Sequence, residues 1–159
     1  MPVITEDRLF HYAEEGYVYG AEVRNGALAN DGTLFIQIEA TSKPVTFTFG
    51  AGVEALTWVD SFIGTTLATP TIITPFNYKP SVTTPATAIV RTSTSVTTLG
   101  TQRGNNQAGS GGGGTGVGGS TSTRPTTLVP GEKLTLRLTN KGGTNKSVSL
   151  GVYFTEITG

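Results

Sequence analysis

Residues 133–139 read Lys-Leu-Thr-Leu-Arg-Leu-Thr, a strict alternation of apolar and polar side chains. Successive side chains of a β-strand point to opposite faces, so this pattern predicts a strand whose leucines face a core. Pro130 and Gly131 come just before it and predict a turn. The clearest structural signal in the sequence is therefore a strand, and the dominant period of its apolar side chains is two residues.

The same period recurs along the chain and predicts further strands. Clear alternation covers residues 33–40, 45–49 and 147–154, and weaker patterns cover 16–23, 56–63 and 86–99. In the first of these segments Leu34, Ile36 and Ile38 share one face, while Phe35, Gln37 and Glu39 share the other. The turn Asn30-Asp31-Gly32 and the segment 140–145 are typical of hairpin connections. Only residues 5–15 fit a helix, so we expect an all-β protein.

Two low-complexity stretches interrupt the strand pattern. Prolines recur at five-residue spacing at Pro70, Pro75, Pro80 and Pro85, which excludes a central strand there and predicts an extended arm or an edge. Residues 102–124 are rich in glycine and nearly free of apolar side chains, which predicts a long loop. We expect one antiparallel β-sandwich over residues 1–159, jelly-roll-like or alternatively immunoglobulin-like. It carries an N-terminal segment (1–15), a Pro-rich arm (69–86) and a Gly-rich loop (102–124).

Composition narrows the classes of function. The net charge is zero and only 14% of the residues are charged, so nothing predicts electrostatic capture of nucleic acid or of an anionic membrane. The chain has no cysteine, which excludes disulfides and thiolate chemistry. No apolar run approaches the roughly 20 residues of a membrane span, and no signal-peptide pattern opens the sequence.

Few residues are candidates for catalysis. His11 is the single histidine and has no carboxylate or serine at a recognisable spacing, which favours a structural or solvated role. Glu14 and Glu15 are adjacent and point to different faces, whereas a glycosidase needs two convergent carboxylates. Glycines 111–114 resemble a phosphate-binding loop, but no helix follows them. We expect no catalytic residue, no metal site and no cofactor.

Trp58 is the single tryptophan, and Glu54 and Asp60 lie close to it in sequence. Because an exposed tryptophan stacks on sugar rings, these residues are candidates for a sugar site. The favoured interpretation is that Trp58 and Phe62 are core or interface anchors.

The other candidate residues are predicted to contact a partner. Arg103 and Arg124 bracket the Gly-rich loop, either as a clamp for a partner's carboxylate or as two solvated charges. Phe76 and Tyr78 lie in the Pro-rich arm, where large aromatic side chains are available to an interface.

In the order of its segments the chain resembles a family of small virion proteins of tailed bacteriophages, the head decoration or cement proteins. The resemblance covers most of the chain. It rests on Leu9-Phe10-His11, Asn30-Asp31-Gly32, Thr74-Pro75-Phe76-Asn77, the Thr-rich stretch 84–98, the Gly-rich loop, residues 128–140 and Val152-Tyr153-Phe154. The long polyglycine and the proline series are elaborations on that pattern.

This resemblance implies a non-enzymatic protein that binds the outer surface of an assembled phage head and stabilises contacts between capsomers. Its partners would be the major capsid protein and neighbouring copies of itself, in a trimer or dimer. It would be made in the host cytoplasm and located on the capsid surface of the virion. The alternatives are a tail, adaptor or fibre-base virion protein, and a carbohydrate- or receptor-binding β-sandwich module.

Overall fold

The computed structural model describes residues 15–109, 119–122 and 126–156, and fourteen strands lie in these ranges. Apart from Glu15, the predicted N-terminal segment falls outside them, and so do the helix-compatible residues 5–14. Two six-stranded antiparallel sheets pack face to face, which confirms the predicted all-β sandwich.

The first sheet, sheet A, has both of its longest strands in its interior. Its order is β11 (Gly119–Ser122), β3 (Val45–Val53), β14 (Lys146–Glu156), β1 (Val18–Leu28) and β7 (Phe76–Asn77), and β12 (Thr126–Leu128) also pairs with β3.

The second sheet, sheet B, runs from β10 (Thr101–Ala108) through β4 (Thr57–Ile63), β13 (Lys133–Asn140), β2 (Thr33–Glu39) and β8 (Ile89–Ser93) to β6 (Thr71–Ile73). A small third sheet pairs β5 (Thr66–Leu67) with β9 (Val96–Thr98).

The core lies between the inner faces of sheets A and B. Leu34, Ile36 and Ile38 are buried there, as their shared face predicts. Sheet A contributes aromatic rings, with Tyr19 stacked on Phe154 at 5.5 Å between ring centroids. Burial of each such apolar side chain contributes about 1.5–3 kcal/mol, so these two faces supply most of the stabilisation.

Part of the outer face of sheet B is buried as well, which the alternating pattern did not predict. Phe35 and Gln37 are each only 2% exposed, although they point away from the core. The chain contacts this face at Thr65, the residue just before β5 of the small third sheet. Gln37 donates its amide to the carbonyl of Thr65 at 3.1 Å and to the hydroxyl of Thr135, on the neighbouring strand β13, at 2.9 Å. These bonds satisfy a polar side chain that would otherwise be costly to bury.

Neither of the two predicted hairpin connections is a hairpin. The turn at 30–32 forms, with Asp31 at a φ of 62° and Gly32 donating to the carbonyl of Ala29 at 2.8 Å. It leads from β1 in sheet A to β2 in sheet B, however, and residues 141–145 lead from β13 in sheet B to β14 in sheet A. Turn residues predict where the backbone bends, but they do not predict which sheet the next strand joins.

The two low-complexity stretches contribute edge strands. Residues 69–86 form β6 at one edge of sheet B and then β7 at one edge of sheet A. The predicted loop 102–124 is wrong for residues 102–108, which belong to β10, and for residues 119–122, which form β11. Residues 110–118 and 123–124 of the predicted loop lie outside the described residues. Pairing of β10 with β4 uses backbone groups, so its polar side chains did not signal a strand.

Candidate functional site

Within the described ranges no group of three or more acidic or histidine side chains converges to hold a metal ion. Nor do Trp58, Glu54 and Asp60 assemble a sugar site. Asp60 is buried in an ion pair with Arg137 at 2.9 Å, and Glu54 accepts a bond from the backbone N–H of Ser147 at 2.7 Å. Both carboxylates therefore hold the fold together.

The two predicted aromatic anchors of β4 differ in exposure. Phe62 is 2% exposed, whereas Trp58, on the same face of the same strand, is 46% exposed and is not a core residue. The guanidinium of Arg137 lies over the Phe62 ring, 4.8 Å from its centroid. The ammonium of Lys141 lies 4.1 Å from the Trp58 ring centroid, and Asp31 binds that ammonium at 2.5 Å, so the ring is held in place.

The outer face of sheet A carries three aromatic rings in contact, which we call the aromatic platform: Phe76, Tyr78 and Tyr153. Ring centroids of Phe76 and Tyr78 are 5.2 Å apart, and those of Tyr78 and Tyr153 are 6.0 Å apart. Phe76 is 45% and Tyr78 42% exposed. Nearly half of two large apolar side chains is thus available to a partner.

Glycines beneath the rings let them lie close to the sheet. A Cβ on Gly20 would come within 2.9 Å of the Phe76 ring and 3.0 Å of the Tyr78 ring. A Cβ on Gly151 would come within 3.2 Å of the Tyr153 hydroxyl. Any larger residue at these positions would push the rings away from the sheet, so the close approach of the platform to sheet A depends on glycine.

A carboxylate adjoins the platform. Glu22 on β1 lies opposite Gly151 in the strand register, and its Oε1 accepts the Tyr153 hydroxyl at 2.8 Å. Burial, the hydrogen bond to Glu22 and its negative charge all raise the pKa of Tyr153. Burial and the same charge raise the pKa of Tyr78. Both phenols therefore keep their protons to higher pH than an ordinary tyrosine.

The Pro-rich arm is hydrogen-bonded to the rest of the sandwich at two places. The N–H of Tyr78 donates to the carbonyl of Val18 at 3.0 Å, and the Asn77 amide donates to the carbonyl of Gly16 at 2.8 Å. At its far end one oxygen of Glu156 accepts bonds from the backbone of Thr87 and Ala88 and from the Thr87 hydroxyl. The arm is thus held against the sandwich at its middle and just beyond its C-terminal end.

The exposed apolar surface concentrates along this edge. Seven large apolar side chains of the described residues are exposed, and three of them lie on β7, just after it or just before β1: Phe76, Tyr78 and Tyr17. Ile72 is the most exposed of all, at 66%, but it lies outside this surface, because Ile73 packs against the core and Ile72 therefore faces the outer side of sheet B. We call this surface the arm edge.

The structure brings together only two of the four predicted interface residues. Phe76 and Tyr78 touch, whereas Arg103 lies on β10, at the edge of the sandwich where β10 contacts β11 and opposite the arm edge. Arg124 lies outside the described residues. Tyr153 and Glu22 were not predicted. The only sequence signal for them was their position two residues from a glycine, at Gly151 and Gly20.

No protein-family model matches the chain, and no curated protein sequence matches it. In the part of the chain that the structure describes, no helix has the length and apolar character needed to cross a membrane.

Proposed function

We propose that this protein is a non-enzymatic virion protein that binds the outer surface of an assembled phage head and stabilises contacts between capsomers. The observation that carries the proposal is the arm edge, an exposed apolar surface on an otherwise polar sandwich. Interface anchors are enriched in aromatic side chains, and large exposed apolar patches on soluble proteins mark interaction sites.

The strand order supports a jelly-roll topology for the sandwich. The connections β1–β2, β2–β3, β3–β4 and β13–β14 all change sheets, and the two central strands β13 and β14 come late in the chain. An immunoglobulin-like sandwich instead keeps sequential strands such as its first two in one sheet. Jelly rolls recur among viral capsid and lectin domains, which agrees with a virion role by analogy of fold alone.

Fixation of the arm favours tight docking. The Val18–Tyr78 and Gly16–Asn77 bonds order Phe76 and Tyr78 before a partner arrives. A preordered surface loses less conformational entropy on binding. A protein that binds only the assembled shell stabilises that shell against disassembly. Many copies bound to one head would each add to this stabilisation.

The experiment compares heads that carry the wild-type protein with heads that carry a Phe76→Ser, Tyr78→Ser double variant. We expect the double variant to fold but to dock at least about thirty-fold more weakly, since even one hot-spot side chain contributes about 2 kcal/mol or more. Val129→Ser is the matched control, because Val129 is equally exposed but lies away from the arm edge. Unchanged docking of the double variant, or heads equally heat-stable without the protein, would contradict the proposal.

Copy number separates the proposal from its nearest alternative. Quantitative mass spectrometry of purified virions gives hundreds of copies for a shell protein. A dozen copies or fewer would indicate a tail, adaptor or fibre-base protein instead.

The exposure of Trp58 favours a second candidate, carbohydrate or receptor binding. Its ring is fixed by Lys141, whose charge Asp31 balances, and Gln107 lies opposite it on β10. A fixed aromatic face with a neutral amide beside it suits a sugar ring. A glycan array tests this with wild type and Trp58→Ala, and either no binding or binding that the substitution leaves unchanged would exclude it.

A further inference from the structure

We propose that Tyr78, Tyr153 and Glu22 form a receptor for a cationic side chain, arginine or lysine, that the docked partner supplies. The inference rests on the proposed function, because it names the chemistry of the partner at the aromatic platform. Such a receptor requires that a negatively charged group and aromatic rings lie together on the exposed surface.

The rings of the platform are tilted against one another and do not stack face to face. Tyr78 lies at 56° to Phe76 and at 49° to Tyr153, with centroids 5.2 and 6.0 Å apart. A cation is attracted to ring faces within about 6 Å of the centroid. Because neighbouring centroids are no farther apart than that, one cation above the platform reaches two rings at once.

Glu22 adds a full negative charge at the border of the platform. Its side chain is exposed, and one oxygen accepts the Tyr153 hydroxyl at 2.8 Å. No lysine or arginine of the described residues forms an ion pair with it; the ion pairs there join Arg91 to Glu39, Arg137 to Asp60 and Lys141 to Asp31. Glu22 therefore keeps an oxygen for a partner's donor.

Docking itself makes a cation necessary. A partner that covers Phe76 and Tyr78 also removes water from Glu22, because Tyr153 joins Glu22 to the same cluster. A carboxylate that loses water without gaining an opposite charge is strongly unfavourable. An apolar or anionic partner would incur that cost, whereas a cationic side chain offsets it.

Arginine fits this receptor better than lysine. Its planar guanidinium stacks on an aromatic face and still directs N–H groups at a carboxylate, whereas an ammonium is a compact and strongly hydrated charge. With the phenols of Tyr78 and Tyr153 held neutral, the platform offers ring faces and one carboxylate, and that combination matches a guanidinium.

The test uses two short peptides that differ only in arginine and citrulline, its neutral isostere, each titrated into the intact protein and followed by NMR. We expect the arginine peptide to shift the amide signals of Glu22 and Tyr153 and the citrulline peptide to leave them in place. Glu22→Gln should weaken arginine binding about tenfold. Arg24→Gln is the matched control on the same face of β1, and it should bind the peptide at least as well as wild type.

Failure of the proposed receptor can be distinguished from failure of the proposed head-binding function. If the arginine peptide causes no shift, or the citrulline peptide causes the same shift, the receptor is excluded even when the protein docks on heads. If the protein fails to dock on heads but binds arginine selectively, the head-binding function is wrong and the receptor stands. Docking that Glu22→Gln leaves unchanged in affinity and salt dependence would also overturn the inference.

Discussion

Asn140 donates its side-chain amide to the carbonyl of Leu28 at 2.7 Å and so joins the end of β13 in sheet B to the end of β1 in sheet A. The same amide donates to the carbonyl of Thr144 at 2.8 Å, and its oxygen accepts the N–H of Gly142 at 2.8 Å. Asn140 is completely buried. One side chain thus fixes the place where the chain crosses between the sheets.

Replacement of Asn140 by alanine should destabilise the sandwich by about 2–4 kcal/mol, because it leaves two carbonyls and one N–H without their partner. Urea unfolding followed by circular dichroism measures the change. Asn145→Ala is the control, since Asn145 is exposed in the same connection. Equal stability of the two variants would show that backbone groups alone fix the crossing.

Gly20→Ala should displace the Phe76 and Tyr78 rings and leave the fold intact. The added methyl group would meet the outer ring atoms of two half-exposed side chains, so a shift of the rings toward solvent relieves the clash. We expect altered aromatic circular dichroism and weaker head binding, with less than about 1 kcal/mol lost in stability. Gly26→Ala serves for comparison, because a Cβ on Gly26 meets nothing within 4 Å on the same strand. A platform unchanged by Gly20→Ala would refute the role of glycine beneath it.

The tyrosines of the platform should make stability fall at alkaline pH. The pKa of Tyr153 is raised from its ordinary value of 10.0 by burial and by Glu22, so the folded state keeps its proton where the unfolded state loses it. This contribution is complete below pH 10 and decreases as pH rises from there toward the folded-state pKa. NMR titration of the tyrosine ring carbons measures each pKa directly.

In Glu22→Gln the pKa of Tyr153 should decrease toward its ordinary value, because the negative charge is gone while burial remains. The alkaline loss of stability should shrink accordingly. An unchanged titration curve would mean that Glu22 does not act on the phenol.

Glu156→Ala should release the far end of the Pro-rich arm. Its Oε1 accepts the N–H groups of Thr87 at 2.5 Å and Ala88 at 2.7 Å, and hydrogen bonds to a charged acceptor are stronger than neutral ones. We expect the free energy of local opening at these two amides to drop by about 2–4 kcal/mol. Amide hydrogen exchange measures it, and Thr155→Ala on the same strand should exchange like wild type.

Much of the sandwich followed from side-chain alternation. β2, β3, β13 and β14 have inner faces of uniformly large apolar residues, so their period of two was visible in sequence. β10 was missed because an edge strand with polar side chains on both faces shows no such period. The burial of Gln37 was also missed, since it depends on a covering sheet whose two strands, β5 and β9, have only two and three residues.

The candidate site was predictable only in part. Phe76 and Tyr78 were recognisable as large aromatic residues in a proline-rich stretch. Tyr153 joins them because its ring lies on the same face of sheet A, and Glu22 joins Tyr153 because β1 pairs with β14 in a particular register. Pairing between strands more than a hundred residues apart is set by the whole core, so local sequence does not specify it.

The central strands β13 and β14 are also the last two strands of the described chain. During synthesis both sheets therefore lack a central strand until residues 133–156 have left the ribosome. Until then β1 and β2 each have one unpaired edge, because their partners are made roughly a hundred residues later or more. Such distant pairing slows folding and leaves strand edges open in the nascent chain. A product cut short before Lys133 therefore lacks the central strand of each sheet.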